Sequence, residues 1–198
     1  MELPIYEIIL EDGVEGLYAI ALVQSPATEI SWLAFSKDDK KPNYLKCSIL
    51  DEEERRVLAV IARADFPFYR CIEGQEFYAM FSKETIKQMA QKFLKGGYQG
   101  FVNIEHTDTY VDGVEMVQLF IKDTSKGINP KGFENIEDGS LFVEYKIENE
   151  DIWQAIKQGI FTSISLEGWF NMKPTGQIYE DIITTDEELI KWLEENLK

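Results

Sequence analysis

Between Ile5 and Ile183 the chain is cut into short runs of β-branched and aromatic residues by turn-forming pairs, and this spacing constrains the fold more than any other feature. Ile5 to Leu10 and Leu17 to Val23 flank Asp12-Gly13 and Glu15-Gly16, the pattern of a hairpin or tight turn. Ser25-Pro26-Ala27 breaks the second run, because proline lacks a ladder donor and fixes φ. Trp32 to Ser36 resumes the alternation, and Lys37 to Pro42 is a charged connector without apolar anchors. Further strands are expected at Tyr44 to Leu50, Phe68 to Cys71, Gln75 to Phe81, Phe101 to His106, Val114 to Lys122, Ser140 to Ile147, Phe161 to Phe170 and Gln177 to Ile183. Arg55 to Arg63 fits a strand, with a helix as the alternative, since Arg55, Val57, Leu58 and Ala59 carry no strong strand bias.

Helices are fewer and better signposted. Ser82 is placed to cap one whose apolar stripe is Ile86, Met89, Ala90, Phe93 and Leu94, with Gly96-Gly97 as its stop. Asn149 is placed to cap a second, with Ile152, Trp153 and Ile156 on one face and Gly159 at its end. Thr184 or Thr185, with Glu187 or Glu188 three residues on, forms a capping box for a third through Leu189, Trp192, Leu193 and Leu197. About ten strands with about three packed helices give an α+β fold, a mostly antiparallel, barrel-like sheet with helices outside it. The expected organisation is one domain over residues 1–183, with 184–198 as a C-terminal helix packed on it or extending from it. Ser125 to Asp138 is polar and rich in glycine and proline, a loop of the kind that hangs over a site.

Composition excludes several classes of function. Lys and Arg number 20 against 36 Asp and Glu, a formal charge of −16, which repels a phosphate backbone and disfavours direct nucleic-acid binding. The weaker corollary is an attraction for basic partners. No apolar run approaches the roughly 20 residues that span a bilayer, so no membrane partner is expected. The N-terminal Met-Glu-Leu-Pro-Ile-Tyr-Glu lacks the basic flank and apolar stretch of a signal peptide, so export is not expected. Cys47 and Cys71 form no CxxC pair and the chain has a single histidine, which argues against a Cys/His zinc site. The two thiols read as small core or edge residues in a reducing cytoplasm. No phosphate-binding, dinucleotide, zincin or GxSxG motif occurs, and no cofactor is implied.

Phe161 to Phe170 carries the most unusual composition. At period two, Phe161, Ser163, Ser165, Glu167 and Trp169 share one face, while Thr162, Ile164, Leu166 and Phe170 take the other. One face is apolar; its opposite carries two hydroxyls and a carboxylate between aromatic residues. A serine needs a base to act as a nucleophile, and the only imidazole available is His106, 59 residues before Ser165 and at the end of an expected strand. Glu167, Glu105, Asp108, Glu144 and Glu180 are the carboxylates that could complete such a site. On its residues alone, His106 is better explained by a structural or surface role.

Four blocks of sequence add to this. They are Ala21-Leu-Val-Gln-Ser-Pro-Ala27 with Trp32-Leu-Ala-Phe-Ser36, then Phe77-Tyr-Ala-Met-Phe-Ser-Lys-Glu-Thr85 running into Ala90-Gln-Lys-Phe-Leu94, then Val102-Asn-Ile-Glu-His106, and finally Trp153 through Lys157-Gln-Gly159 to Ser165-Leu-Glu-Gly168. In this order, over about residues 17 to 170, the chain resembles the XkdF-like phage serine proteases. These are a branch of the prohead maturation proteases of tailed phages, distantly related to the herpesvirus assemblins. The resemblance implies a herpesvirus-protease-like fold and a serine endopeptidase that cleaves phage scaffold and capsid proteins, inside assembling proheads in the bacterial host cytoplasm. It implies Ser165 as nucleophile and His106 as base; Ser163 lies only two residues away, and self-cleavage and a homo-oligomeric form stay open.

Assemblins use a second histidine as third member. This chain has none, so Glu167, another carboxylate or a bare dyad must serve. Glu167 lies about 7 Å along the strand from Ser165, a distance equally suited to fixing the strand. Backbone amides near Gly168, or Lys173, are candidates to hold an oxyanion. Phe161 and Trp169 either line subsites or pack in the core. A histidine base implies activity that rises as an imidazole loses its proton, at about pH 6 to 7 for a free side chain. The alternative is a catalytically inactive head-assembly or scaffold-binding protein.

Overall fold

The computed structural model describes residues 2–11, 13, 16–24, 47–72 and 74–180. In chain order the strands are β1 (Glu2–Ile9), β2 (Gly16–Val23), β3 (Ser48–Asp51), β4 (Arg56–Ala62), β5 (Phe68–Ile72) and β6 (Gln75–Phe81). Helix α1 (Lys83–Gly96) follows, then β7 (Val102–Ile104), β8 (Val114–Ile121), β9 (Leu141–Ile147), helix α2 (Glu150–Lys157), β10 (Ser163–Trp169) and β11 (Asn171–Glu180). The expected strand at Trp32 to Ser36, the connector at Lys37 to Pro42 and the C-terminal helix lie outside the described residues.

The described strands form three sheets, ordered β11-β1-β6-β5, β10-β2-β7 and β3-β4-β9-β8. Among the described residues there is no closed barrel, which corrects the barrel-like expectation. The mixed α/β character and the predominance of antiparallel pairing hold, with β1–β6 and β2–β7 as parallel exceptions. Of the hairpin or tight turn expected between β1 and β2, the hairpin does not form, while Gly13 lies in a turn. Both edges of β1 are taken by β11 and β6, and both edges of β2 by β10 and β7, so the two strands enter different sheets. The last strand begins at Asn171, six residues before the expected Gln177, because its pairing with β1 runs from Ile9–Asn171 to Glu2–Glu180.

One apolar core joins the three sheets. Ile8, Phe77 and Phe81 come from the first, Leu17, Ile20, Leu22, Val102 and Ile164 from the second, and Val57, Ala59, Ile61 and Tyr145 from the third. Helix α1 adds Ile86, Met89 and Phe93, and α2 adds Ile152, Trp153 and Ile156. Both helices start where their caps predict: Ser82 Oγ accepts from Thr85 N–H at 3.2 Å and Asn149 Oδ1 accepts from Ile152 N–H at 3.1 Å. Gly97 ends α1 in the left-handed conformation at φ 75°. Among the described residues no helix is long and apolar enough to cross a membrane.

The Ser125 to Asp138 loop covers its own sheet. Strand alternation sends Leu58 and Val60 to the face opposite Val57, Ala59 and Ile61, and there they meet Phe142 and the loop residues Phe133 and Ile136 in a second, smaller core. Lys122, 1% exposed, holds the loop from beneath: its ammonium donates to the carbonyls of Phe133 (2.9 Å), Glu134 (3.0 Å) and Ile136 (2.7 Å). All three of its protons are thereby used, which is what allows a cation to be buried there.

Replacing Lys122 with Met keeps the bulk and leaves three carbonyls without a donor. Denaturant unfolding should show a loss of about 2–4 kcal/mol. Limited proteolysis should move to the loop between 128 and 137; an unchanged midpoint and cleavage pattern would refute this account of the loop.

Candidate active site

Strand β2 is buried on both faces. Leu17, Ile20 and Leu22 point into the core, while Ala19, Ala21 and Val23 on the opposite face are also no more than 1% exposed. The register of β10 against β2 pairs Ser163 with Val23, Ser165 with Ala21 and Glu167 with Ala19. On the other edge, β7 pairs Asn103 with Ala21. Ser165, Ala21 and Asn103 therefore form one row across the sheet, and Ser165 and Glu167 stand beside small alanine side chains.

The register slips once, between Glu167 and Gly168: Glu167 stands opposite Ala19 and Gly168 opposite Leu17, so Tyr18 is the extra residue of a β-bulge. A bulge re-aims a side chain. Here it brings the Tyr18 hydroxyl to Glu167, donating to Oε1 at 2.7 Å. Gly168 is required by the same close approach, since a Cβ there would stand 2.6 Å from the carbonyl oxygen of Gly16.

His106 does not extend β7 as expected; it sits in the turn that ends it. Thr107 N–H donates to Ile104 O at 3.0 Å, and both central residues have positive φ, Glu105 at 52° and His106 at 56°. Positive φ at both positions is the requirement of a type I′ turn, which asparagine and glycine normally fill. Side chains of this size pay for it in backbone strain of order 1–3 kcal/mol each, so surrounding bonds must hold the turn. Glu105 N–H donates to Leu22 O at 3.0 Å, Glu105 Oε1 accepts from Gln24 N–H at 2.7 Å, and Thr107 Oγ1 donates to Ile104 O at 2.7 Å. The chain then returns along the outer edge of β7, with Tyr110 bridging Asn103.

From that turn the imidazole reaches back across the sheet. His106 Nδ1 lies 3.4 Å from Glu167 Oε2, and the same oxygen accepts from Asn103 Nδ2 at 2.7 Å. The His106 and Glu167 side chains are 35% and 25% exposed, so the pair lies at the protein surface with its anchors beneath. Burial alone would push the Glu167 carboxyl up; the donors Asn103, Tyr18 and His106 outweigh it and hold the group below the ordinary carboxylate range. Glu167 is consequently an anion at neutral pH, set to orient an imidazole through Nδ1 and leave Nε2 for chemistry.

Both serines of β10 are buried, Ser163 at 4% and Ser165 at 9% exposure. Among the described residues the Ser165 hydroxyl forms no hydrogen bond, so His106 and Glu167 are joined directly while Ser165 shares their sheet face without a bond to either. Of the other carboxylates, Glu105 is bound in the turn, Glu144 pairs with Arg56 at 2.6 Å and Asp108 is exposed, while the backbone of Glu180 ends β11 in another sheet. Lys173 pairs with Glu7 at 2.9 Å across β11 and β1. Phe161 packs against the main core, while Trp169 is 67% exposed on the far side of the bulge. Tyr18 and Asn103 are the contributors that pattern reading missed. An asparagine inside a short apolar strand, three residues before the only histidine, was the available signal for Asn103; nothing in the sequence announces the bulge that turns Tyr18.

The depressed Glu167 carboxyl has a signed consequence. Below about pH 4.5 the unfolded chain takes up this proton before the folded one does, so stability present above that value is lost as pH falls through the lower folded value. Thermal unfolding followed from pH 7 to pH 3 should therefore fall less steeply in Glu167→Gln than in the wild type. Parallel curves would show that the carboxylate contributes nothing to the fold.

Residues 69–173 match the family described as "Putative phage serine protease XkdF". No curated protein and no solved structure matches the chain. The matched span holds Asn103, His106, Ser163, Ser165 and Glu167, whereas Tyr18 and the motif residues between Ala21 and Ser36 lie before it. Covering more than half of the 198 residues, the match identifies the chain as a member of the XkdF family of phage serine proteases.

Proposed function

We propose that this protein is a serine endopeptidase of the prohead maturation type, cleaving scaffold and capsid proteins within assembling phage heads in the bacterial cytoplasm. Ser165 is its nucleophile, His106 the general base and Glu167 the group that orients the base. The observation that carries this reading is the 3.4 Å contact between His106 Nδ1 and Glu167 Oε2 on the sheet face that bears Ser165. The sheet register supports it further. The His106 turn follows the Leu22–Ile104 pair, towards the Ser163 end of β10, while Glu167 lies two residues beyond Ser165 in the other direction. To touch Glu167, the imidazole must reach over the Ser165–Ala21–Asn103 row, where Ala21 offers only a methyl group. The protease unit spans residues 1–183 on this reading, and its architecture is akin to that of the herpesvirus proteases.

In the reaction, His106 Nε2 takes the Ser165 hydroxyl proton as Oγ attacks a peptide carbonyl, giving a tetrahedral oxyanion. Collapse expels the amine, which leaves with the proton from Nε2, and an acyl-serine ester forms. Water then gives its proton to Nε2 and its oxygen to the ester carbonyl, releasing the acid and restoring the serine. Glu167 stays ionised throughout and stabilises the imidazolium. Backbone amides near Gly168 are the candidate oxyanion donors; Lys173 is the weaker candidate, being paired with Glu7.

Incubation of the purified chain with the scaffold protein of its own phage tests this. Wild type should cleave it, Ser163→Ala should retain cleavage, and Ser165→Ala and His106→Ala should lose at least about a thousandfold in rate. Cleavage by Ser165→Ala at the wild-type rate would remove that residue as nucleophile, and loss confined to Ser163→Ala would transfer the role by two positions. Stable scaffold binding without cleavage by any form would replace the protease with a head-assembly protein.

A further inference from the structure

We propose that Tyr18 and Asn103 are positioning residues that set the basicity of His106 through Glu167. The inference deepens the proposed function and rests on it for its meaning. Glu167 receives donors from three separate chain segments: Tyr18 from the bulge in β2, Asn103 from β7, and His106 from the turn beyond it. The two short contacts, both 2.7 Å, come from neutral side chains, and the longer one from the imidazole. Donors to a carboxylate draw charge away from it and weaken its hold on any further proton. Tyr18 and Asn103 thus set how much of the Glu167 charge is left to act on the imidazole beside it.

Both anchors are built at a cost to the fold. Asn103 is fully buried, and its Oδ1 has no donor among the described residues. A β-branched apolar side chain at the centre of that strand would pack without an orphaned acceptor, so the amide is explained by what its Nδ2 does. Tyr18 occupies the extra position of a bulge and so interrupts the ladder between β2 and β10. Two independent departures from the simplest sheet converge on one carboxylate.

Among the described residues, few ionisable groups lie on the segments around the His106–Glu167 pair. From β2 there is Tyr18; from β10, Glu167 itself; from the turn after β7, Glu105, tied to Gln24 N–H, and the exposed Asp108; and from the returning segment, Tyr110. Glu105 and Asp108 remain in every variant below, so differences between variants report on the network around Glu167.

Because His106 is the only histidine, its titration can be followed by NMR of a single imidazole in the intact protein, whether or not a substrate is in hand. Tyr18→Phe removes one donor and keeps the ring; Asn103→Ala removes the other. Both should move the imidazole midpoint upward by about half a pH unit, because the less-solvated carboxylate holds the imidazolium more tightly. Glu167→Gln should move it down by a similar amount. In parallel, an alkyl fluorophosphonate should label Ser165 more slowly in Tyr18→Phe, by about two- to threefold at pH 7, with its acid limb displaced upward by the same half unit. Midpoints in Tyr18→Phe and Asn103→Ala that coincide with wild type, in spectra as well dispersed as the wild-type spectrum, would overturn the inference and leave the protease assignment standing. Fluorophosphonate labelling that survives Ser165→Ala would overturn the assignment itself, while the NMR midpoints would still report whether the two anchors act on His106.

Discussion

Burial of β2 on both of its faces is the constraint on which the rest of the structure depends. A strand whose alternate side chains are all removed from water has to be central in a sheet, with its whole ladder satisfied by neighbours. Those neighbours are β10 and β7, drawn from well-separated segments of the 69–173 stretch, and their arrival on either side of β2 is what unites the serine strand with the histidine turn. Leu17, Ile20 and Leu22 tie the strand to the main core. Ala19 and Ala21 give a low surface over which longer side chains from β10 and the β7 turn can meet. The small residues are as necessary as the reactive ones.

Around that strand the chain spends stability in a small area. Two consecutive side-chain-bearing residues adopt positive φ at Glu105 and His106, an acceptor on Asn103 is buried without a donor, and a bulge interrupts the β2–β10 ladder at Tyr18. Each departure would be hard to explain in a sheet selected only to be stable. Together they converge on Glu167, whose carboxylate gathers the three donors. The buried Lys122 shows the opposite strategy: every proton of its ammonium finds a carbonyl, and its effect is confined to holding a surface loop to its own sheet.

Local rules were most dependable where a single side chain decides the outcome. Ser82 and Asn149 start α1 and α2 because their side chains satisfy an orphaned amide, and Gly97 stops α1 because its left-handed backbone closes the last turn. Arg56–Ala62 is a strand despite its mixed propensity, since pairing with β9 and core contacts through Val57, Ala59 and Ile61 decide the matter. The alternation of β10 was legible as far as Glu167, with Ile164 in the core and Ser163 and Ser165 on the other side. It failed at the ends: Phe161 lies before the strand and joins the core. The β1–β2 hairpin failed for a different reason, because adjacency along the chain says nothing about which partner fills an open strand edge.

By itself the sequence determined the inventory: a strand-rich chain with one imidazole, a serine-bearing strand with an apolar reverse face, an acidic balance that disfavours nucleic acid, and capped helices at the expected places. These follow from composition and from interactions within a few residues. Tertiary structure alone decided that the strands would form three sheets, that His106 would sit in a turn rather than in a strand, and that Glu167 would be the carboxylate beside it. It also supplied Tyr18 and Asn103. The physical reason is that a bulge and a parallel pairing are properties of two strands at once, so the residues that meet across β2 are fixed by register between distant segments, a quantity that no local pattern encodes.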